Sequence, residues 1–113
     1  MTKRNPKPVL VQQSLGATRP SFMGKNVLFS EDWQRARRTM QAVLDEYDAA
    51  CTKHPEKHHS AHESFAVLLE EVDELKAEVW KKQSKRDLAK MRKEAVQVAA
   101  MALRFITDVV PEE

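Results

Sequence analysis

Apolar residues recur every three or four positions in three separate stretches after residue 29, and that period belongs to helices. The first stretch carries Trp33, Ala36, Met40, Val43, Leu44, Tyr47 and Cys51 on one face. Ser30 is a good N-cap for it, with Glu31 and Asp32 in the first turn, where the helix dipole favours acids. His54-Pro55 closes it, because a residue before proline avoids the α region. The second stretch, Phe65, Leu68, Leu69, Val72, Leu75 and Val79, follows Ser60-Ala61-His62-Glu63, which has the form of a capping box. The polar run 81–85 ends that helix. Ser84-Lys85-Arg86-Asp87 is a weaker start signal for a third helix, which runs to about Val110, before Pro111.

The third helix carries most of the architectural information. Its main stripe is Leu88, Met91, Ala95, Val98, Ala99, Ala102, Ile106 and Val109, yet Val96, Met101, Leu103 and Phe105 lie off that stripe. Between Ala95 and Leu103 the only polar residue is Gln97, and a helix apolar nearly all round is covered on more than one side. Three helices in a chain of this length leave one side of the third uncovered. The expectation is an all-α fold, a three-helix chain whose bundle is completed by a second copy in a homodimer.

Residues 1–29 break the periodicity. They hold Pro6, Pro8, Pro20 and both glycines, and read as an extended arm attached to an all-α domain over 30–113. The Val9-Leu10-Val11 run within the arm suits a strand, a docking segment or neither. Charge sharpens this division. The chain has 19 basic and 17 acidic residues, and Lys3, Arg4, Lys7, Arg19 and Lys25 fall in the arm with no acid beside them. A basic arm on a mildly acidic body is weak ground for nucleic-acid binding. The basic patch Arg35, Arg37 and Arg38 reads first as a solvated face. Cys51 is the one cysteine, so no internal disulfide forms, and no apolar run approaches a bilayer span. With no apolar segment of the secretory kind near the first residue, the expected location is the cytoplasm.

Candidate chemistry lies beside the apolar stripes. In Glu70-Glu71-Val72-Asp73-Glu74, and with Glu78 a turn further on, the residues Glu71, Glu74 and Glu78 share one strip of the second helix. Glu94 and Gln97 hold the same relation to the stripe of the third helix, with Lys90 and Arg104 nearby. Antiparallel packing would bring the two strips together along a groove. Carboxylates converging from two helices form a hard, oxygen-rich site that suits Mg²⁺ or Mn²⁺ bridging ligand phosphates. The same acids equally suit a plain solvated face, and the pattern alone leaves both readings open.

Glu70-Glu71-x-x-Glu74, followed after nineteen residues by Glu94-x-x-Gln97, resembles the paired-helix motif of the MazG-like and dimeric dUTPase-like nucleotide pyrophosphohydrolases. That motif is EExxE, a spacer, then ExxD. The resemblance covers residues 65–105; the first helix fits by position only, and the arm is not covered. It implies a MazG-like bundle that hydrolyses a nucleoside triphosphate to monophosphate and pyrophosphate. It further implies Mg²⁺ or Mn²⁺ held by Glu71, Glu74, Glu94 and Gln97, with Glu71 and Glu74 as the catalytic carboxylates. Gln97 departs from the family's aspartate: an amide offers one carbonyl oxygen, lacks the charge and cannot act as a base. A non-catalytic MazG-like dimer that binds a nucleotide or a protein is therefore the alternative. Lys90 and Arg104 are the expected phosphate contacts. Trp80 is the expected base-stacking residue, with Trp33 and Phe65 as further aromatics; Phe65 suits a core position better.

Cys51, His54, His58, His59 and His62 have spacings that zinc can use, but a proline-containing loop separates them, and a polar interhelical loop is the preferred reading. No serine or cysteine has a triad setting, and no glycine-rich phosphate loop is present.

Overall fold

A computed structural model of the chain describes residues 30–110 and 112. The arm assigned to residues 1–29, with its Val9-Leu10-Val11 run, lies outside the described residues. Three α-helices follow one another: α1, Glu31–Lys53; α2, Ala61–Val79; and α3, Leu88–Val109, with a short 3₁₀ turn, Gln83–Lys85, before α3. No strand occurs among the described residues. The all-α expectation holds for them. By contact density the chain divides into two units, with the boundary between Arg38 and Thr39.

The described part of the first unit is the opening of α1. Ser30 Oγ accepts the Trp33 backbone N–H at 3.0 Å, satisfying one of the donors a helix start leaves over. Asp32 pairs with Arg35 one turn on. Trp33 is half-buried.

The second unit holds the rest of α1, all of α2 and α3, and their connections. Ser60 caps α2 by accepting the Glu63 N–H at 3.1 Å. The reciprocal arm of the expected capping box goes elsewhere, because Glu63 Oε1 accepts the His59 N–H at 2.6 Å. The start of α3 also differs from expectation. Asp87 is its cap, accepting from the Ala89 and Lys90 N–H groups at 3.0 and 3.2 Å, while Ser84 sits in the 3₁₀ turn. Aspartate wins here because one carboxylate oxygen serves two backbone donors.

Helices α2 and α3 pack against each other. Cross-helix neighbours run Glu78 with Lys90 and Glu71 with Gln97, falling along α2 as they rise along α3, so the pair is antiparallel. Ala100 on α3 and Ser64 on α2 are both fully buried, and small side chains let helix backbones come close. Met101 is buried as well.

The expected stripe of α3 is only partly covered: Met91, Val98, Ala99, Ala102 and Val109 are half-buried, and its most buried residues lie off the stripe. Ala100, Met101 and Arg104 are the buried residues of α3, whereas Leu88 is 77% and Ile106 57% exposed. On α2, Phe65, Leu69 and Val72 are exposed too, so Phe65 is not a core residue of the single chain. Glu71, Glu94 and Gln97 are half-buried and Glu78 is buried, while Glu74 is exposed, and much of the apolar surface is left outside. No helix among the described residues is long and apolar enough to cross a membrane.

Candidate functional site

The seam between α2 and α3 gathers the acids that the spacing singles out. Glu71 and Glu74 stand one turn apart on α2, and Glu94 faces them from α3. One carboxylate oxygen from each lies within 4.8 Å of the others. Among the described residues this is the group of histidine, cysteine and acidic side chains that converges; Cys51 and the four histidines form no such group. Gln97 sits one turn beyond Glu94. With its NH₂ turned toward the acids, its amide donates to Glu94 Oε1 at 2.9 Å and to Glu71 Oε1 at 3.2 Å. The opposite orientation would set the carbonyl oxygen among acceptors, so the hydrogen-bond network assigns this one.

Electrostatics mark Glu71 as the strained member. Partial burial raises its pKa first, and the charges of Glu74, Glu94, Glu70 and Glu46 add to the rise. Protonation or a cation relieves that repulsion. Glu78, a turn further along α2, behaves in the opposite way. Lys81 donates to its carboxylate at 2.9 Å and Lys90 lies 3.7 Å from its other oxygen, which lowers its pKa, the Lys81 hydrogen bond contributing most. Glu78 is thereby committed to lysines and is no substitute for Gln97 in the acidic cluster.

A groove of about 790 Å³ opens beside the cluster, within the size range of small-molecule sites. Glu71 and Gln97 line it, together with Lys53 at the end of α1 and, from the connection between α1 and α2, Lys57 and His58. That connection has no regular structure, yet its backbone is tied down. Arg104 Nη2 donates to the His54 and Glu56 carbonyls, both at 2.7 Å, and Nη1 reaches the Ala50 carbonyl at 3.5 Å. Its Nε donates to Asp108 Oδ2 at 3.1 Å, and the same oxygen accepts the His58 N–H at 3.0 Å. Burial alone would raise the Asp108 pKa, but the His58 N–H and Arg104 outweigh it and hold the carboxyl below its ordinary value. The Tyr47 and Thr107 hydroxyls, 3.2 Å apart, join α1 to α3 at the same end.

These positions change the expected roles of three residues. Arg104 is 3% exposed and directs four N–H groups at protein acceptors, so it holds the loop and is not a loose phosphate clamp. Lys90 reaches toward Glu78, outside the groove lining. Trp80 is 73% exposed, carries Lys76 Nζ 5.5 Å from its ring centre, and does not line the groove. Sequence reasoning passed over Ser64 and Asp108, and weighed His58 only as a zinc ligand. The one local signal for them was the opposite charge of Arg104 and Asp108 at four-residue spacing on one helix.

Comparisons with protein-family models, curated proteins and solved structures find no match to this chain.

Proposed function

We propose that the chain is a MazG-like nucleoside triphosphate pyrophosphohydrolase, dependent on Mg²⁺ or Mn²⁺ and acting in nucleotide house-cleaning or pool control. The observation that carries this reading is the convergence of Glu71, Glu74 and Glu94 across two antiparallel helices, at the positions that the paired-helix motif implies. The donor set fits the ion: carboxylate oxygens on rigid helices, with the Gln97 carbonyl available after a half-turn of its amide, are hard ligands for a hard cation. When bound, the cation would neutralise phosphate charge. Glu71 is the residue that handles the water. Its raised pKa brings a carboxylate closer to the range useful for a general base. In the reaction, water adds across the bond between the α- and β-phosphoryl groups. Its oxygen bonds to phosphorus, its proton passes to Glu71, and the bridging oxygen leaves with pyrophosphate.

The proposed assembly is a homodimer. The exposed Leu69, Val72, Leu88 and Ile106 support it, since two helices showing this much apolar surface gain by covering it. A cytoplasmic setting agrees with the free thiol of Cys51. Gln97 favours a second reading, a non-catalytic relative that binds a nucleotide or a protein, because its amide already links Glu71 to Glu94 without a cation.

A panel of nucleoside triphosphates with Mg²⁺ or Mn²⁺, read by pyrophosphate release, separates the two. The expected result is release that falls at least about 100-fold in Glu71→Ala or Glu74→Ala. Silence across the panel, with nucleotide bound equally well in the presence of a chelator, would establish the second reading. Light scattering on the same samples checks the dimer, and a monomeric mass at micromolar concentration overturns it.

A further inference from the structure

His58 is held more firmly than a loop histidine needs to be. Its backbone N–H goes to Asp108, which is itself buried against Arg104. Its ring Nδ1 shares a hydrogen bond of 2.7 Å with Ser64 Oγ, and Ser64 is fully buried on α2. Helix α3 therefore fixes the main chain of His58 while α2 fixes one ring nitrogen, and the residue lines the groove. A histidine with Nδ1 spoken for offers the other nitrogen, Nε2, and the partner of Nδ1 sets both tautomer and orientation. Pinning a ring this way costs conformational entropy. It also places a buried ion pair, Arg104 with Asp108, behind a single loop, which stability alone rarely rewards.

The surroundings indicate what Nε2 meets. Lys53 at the end of α1 and Lys57 on the connection line the groove, and the carboxylate that accepts the His58 N–H, Asp108, is already occupied by two donors. Of the acids that line the groove, Glu63 is engaged by the His59 N–H, and the others are Glu46, Glu56, Glu70 and Glu71. The groove thus sets carboxylates against a fixed imidazole and two lysines. An anionic chain bridged to the carboxylates by a cation would share the groove with the imidazole.

We infer that His58 is a ligand-contacting residue whose Nε2 donates to a phosphate oxygen of the bound polyphosphate chain, with Ser64 as its positioning residue. The inference rests on the reading of the acidic cluster as a metal and phosphate site. It adds a specific residue from the lining of the groove that Glu71 also lines.

Inorganic tripolyphosphate with Mg²⁺ tests it without knowledge of the base, by calorimetry on the full chain. Asparagine places its amide where Nδ1 was, and glutamine places its amide near Nε2. His58→Asn keeps the Ser64 contact and is expected to weaken tripolyphosphate binding about ten-fold, while the affinity for Mn²⁺ alone stays unchanged. His58→Gln is expected to recover part of that loss, and Ser64→Ala to lose about three-fold. In the unaltered protein, the ¹⁵N resonance of His58 Nε2 should move on adding Mg²⁺ and tripolyphosphate while Nδ1 stays in place. That measurement needs no variant to fold. If His58→Asn binds as tightly as wild type, or Nε2 does not respond, while Glu71→Ala abolishes binding, the inference falls and the metal reading stands. If wild type binds neither Mn²⁺ nor tripolyphosphate, both fall together.

Discussion

Two polar clusters sit along the packed helices of the second unit, and they are opposites. At one, Arg104, Asp108, His58 and Ser64 are all wholly or partly buried, and their hydrogen bonds are closed among themselves and onto loop carbonyls. At the other, Glu71, Glu74 and Glu94 bring like charges together, with one amide between two of them. Burying charge is tolerated only when partners are supplied. The first cluster follows that rule and behaves as a rivet. The second, with Glu71 and Glu94 half-buried and Glu74 exposed, crowds like charges with no counter-charge among the described residues, and such groups are where function tends to concentrate. Polarity alone does not distinguish a site from a brace; what distinguishes them is whether the charges are already answered.

The comparison breaks most sharply at Arg104. Arg104→Ala would leave Asp108 buried and unpaired and free three carbonyls, a loss of about 3–5 kcal/mol measured by urea unfolding. A change below about 1 kcal/mol would mean that the rivet holds nothing. Asp108→Asn is the milder test, costing about 2 kcal/mol at neutral pH because an amide still accepts one hydrogen bond but no longer offsets the guanidinium. It also carries a pH signature. The folded pKa of Asp108 lies below the unfolded one, so its contribution is complete above the ordinary aspartate range. It is lost as pH falls through the lower folded value. Urea midpoints measured through that acid window should drop more steeply in wild type than in Asp108→Asn.

The acidic cluster should respond with the opposite sign. The folded pKa of Glu71 is raised, so its ionisation works against the folded state as pH rises through the unfolded value. Glu71→Gln is therefore expected to stabilise the cation-free protein at neutral pH, by about 0.5 kcal/mol. A loss of stability instead would show that Glu71 is answered by a partner, and the contrast between the clusters would collapse.

How much of this was legible along the chain follows from the range of each interaction. Ser30, Ser60 and Pro55 act on their own neighbours, so helix boundaries could be read to within a few residues. The meeting of Glu71, Glu74 and Glu94 was legible because helical spacing and a short connection leave two strips little freedom. The roles of Arg104 and His58 were not, since their partners lie about 50 residues or a whole loop away, and only the arrival point of α1 decides them. The covered face of α3 was misjudged in part, for a related reason. Hydrophobic periodicity locates apolar surface, but which surface is covered depends on the neighbour, and Arg104, one of the three buried residues of α3, is covered by the loop whose carbonyls it meets.

Ala100 has a wider consequence than its size suggests. It has no exposed surface, so its one methyl group already fills the room at that point of α3. One turn before it on α3 lies Gln97, which touches the acids; one turn after it lies Arg104, which holds the loop. Added volume at Ala100 would have to be taken up by its neighbours on the helix. Gln97 and Arg104 both lie within one turn of it, so one enlarged side chain would disturb the acidic site and its brace together.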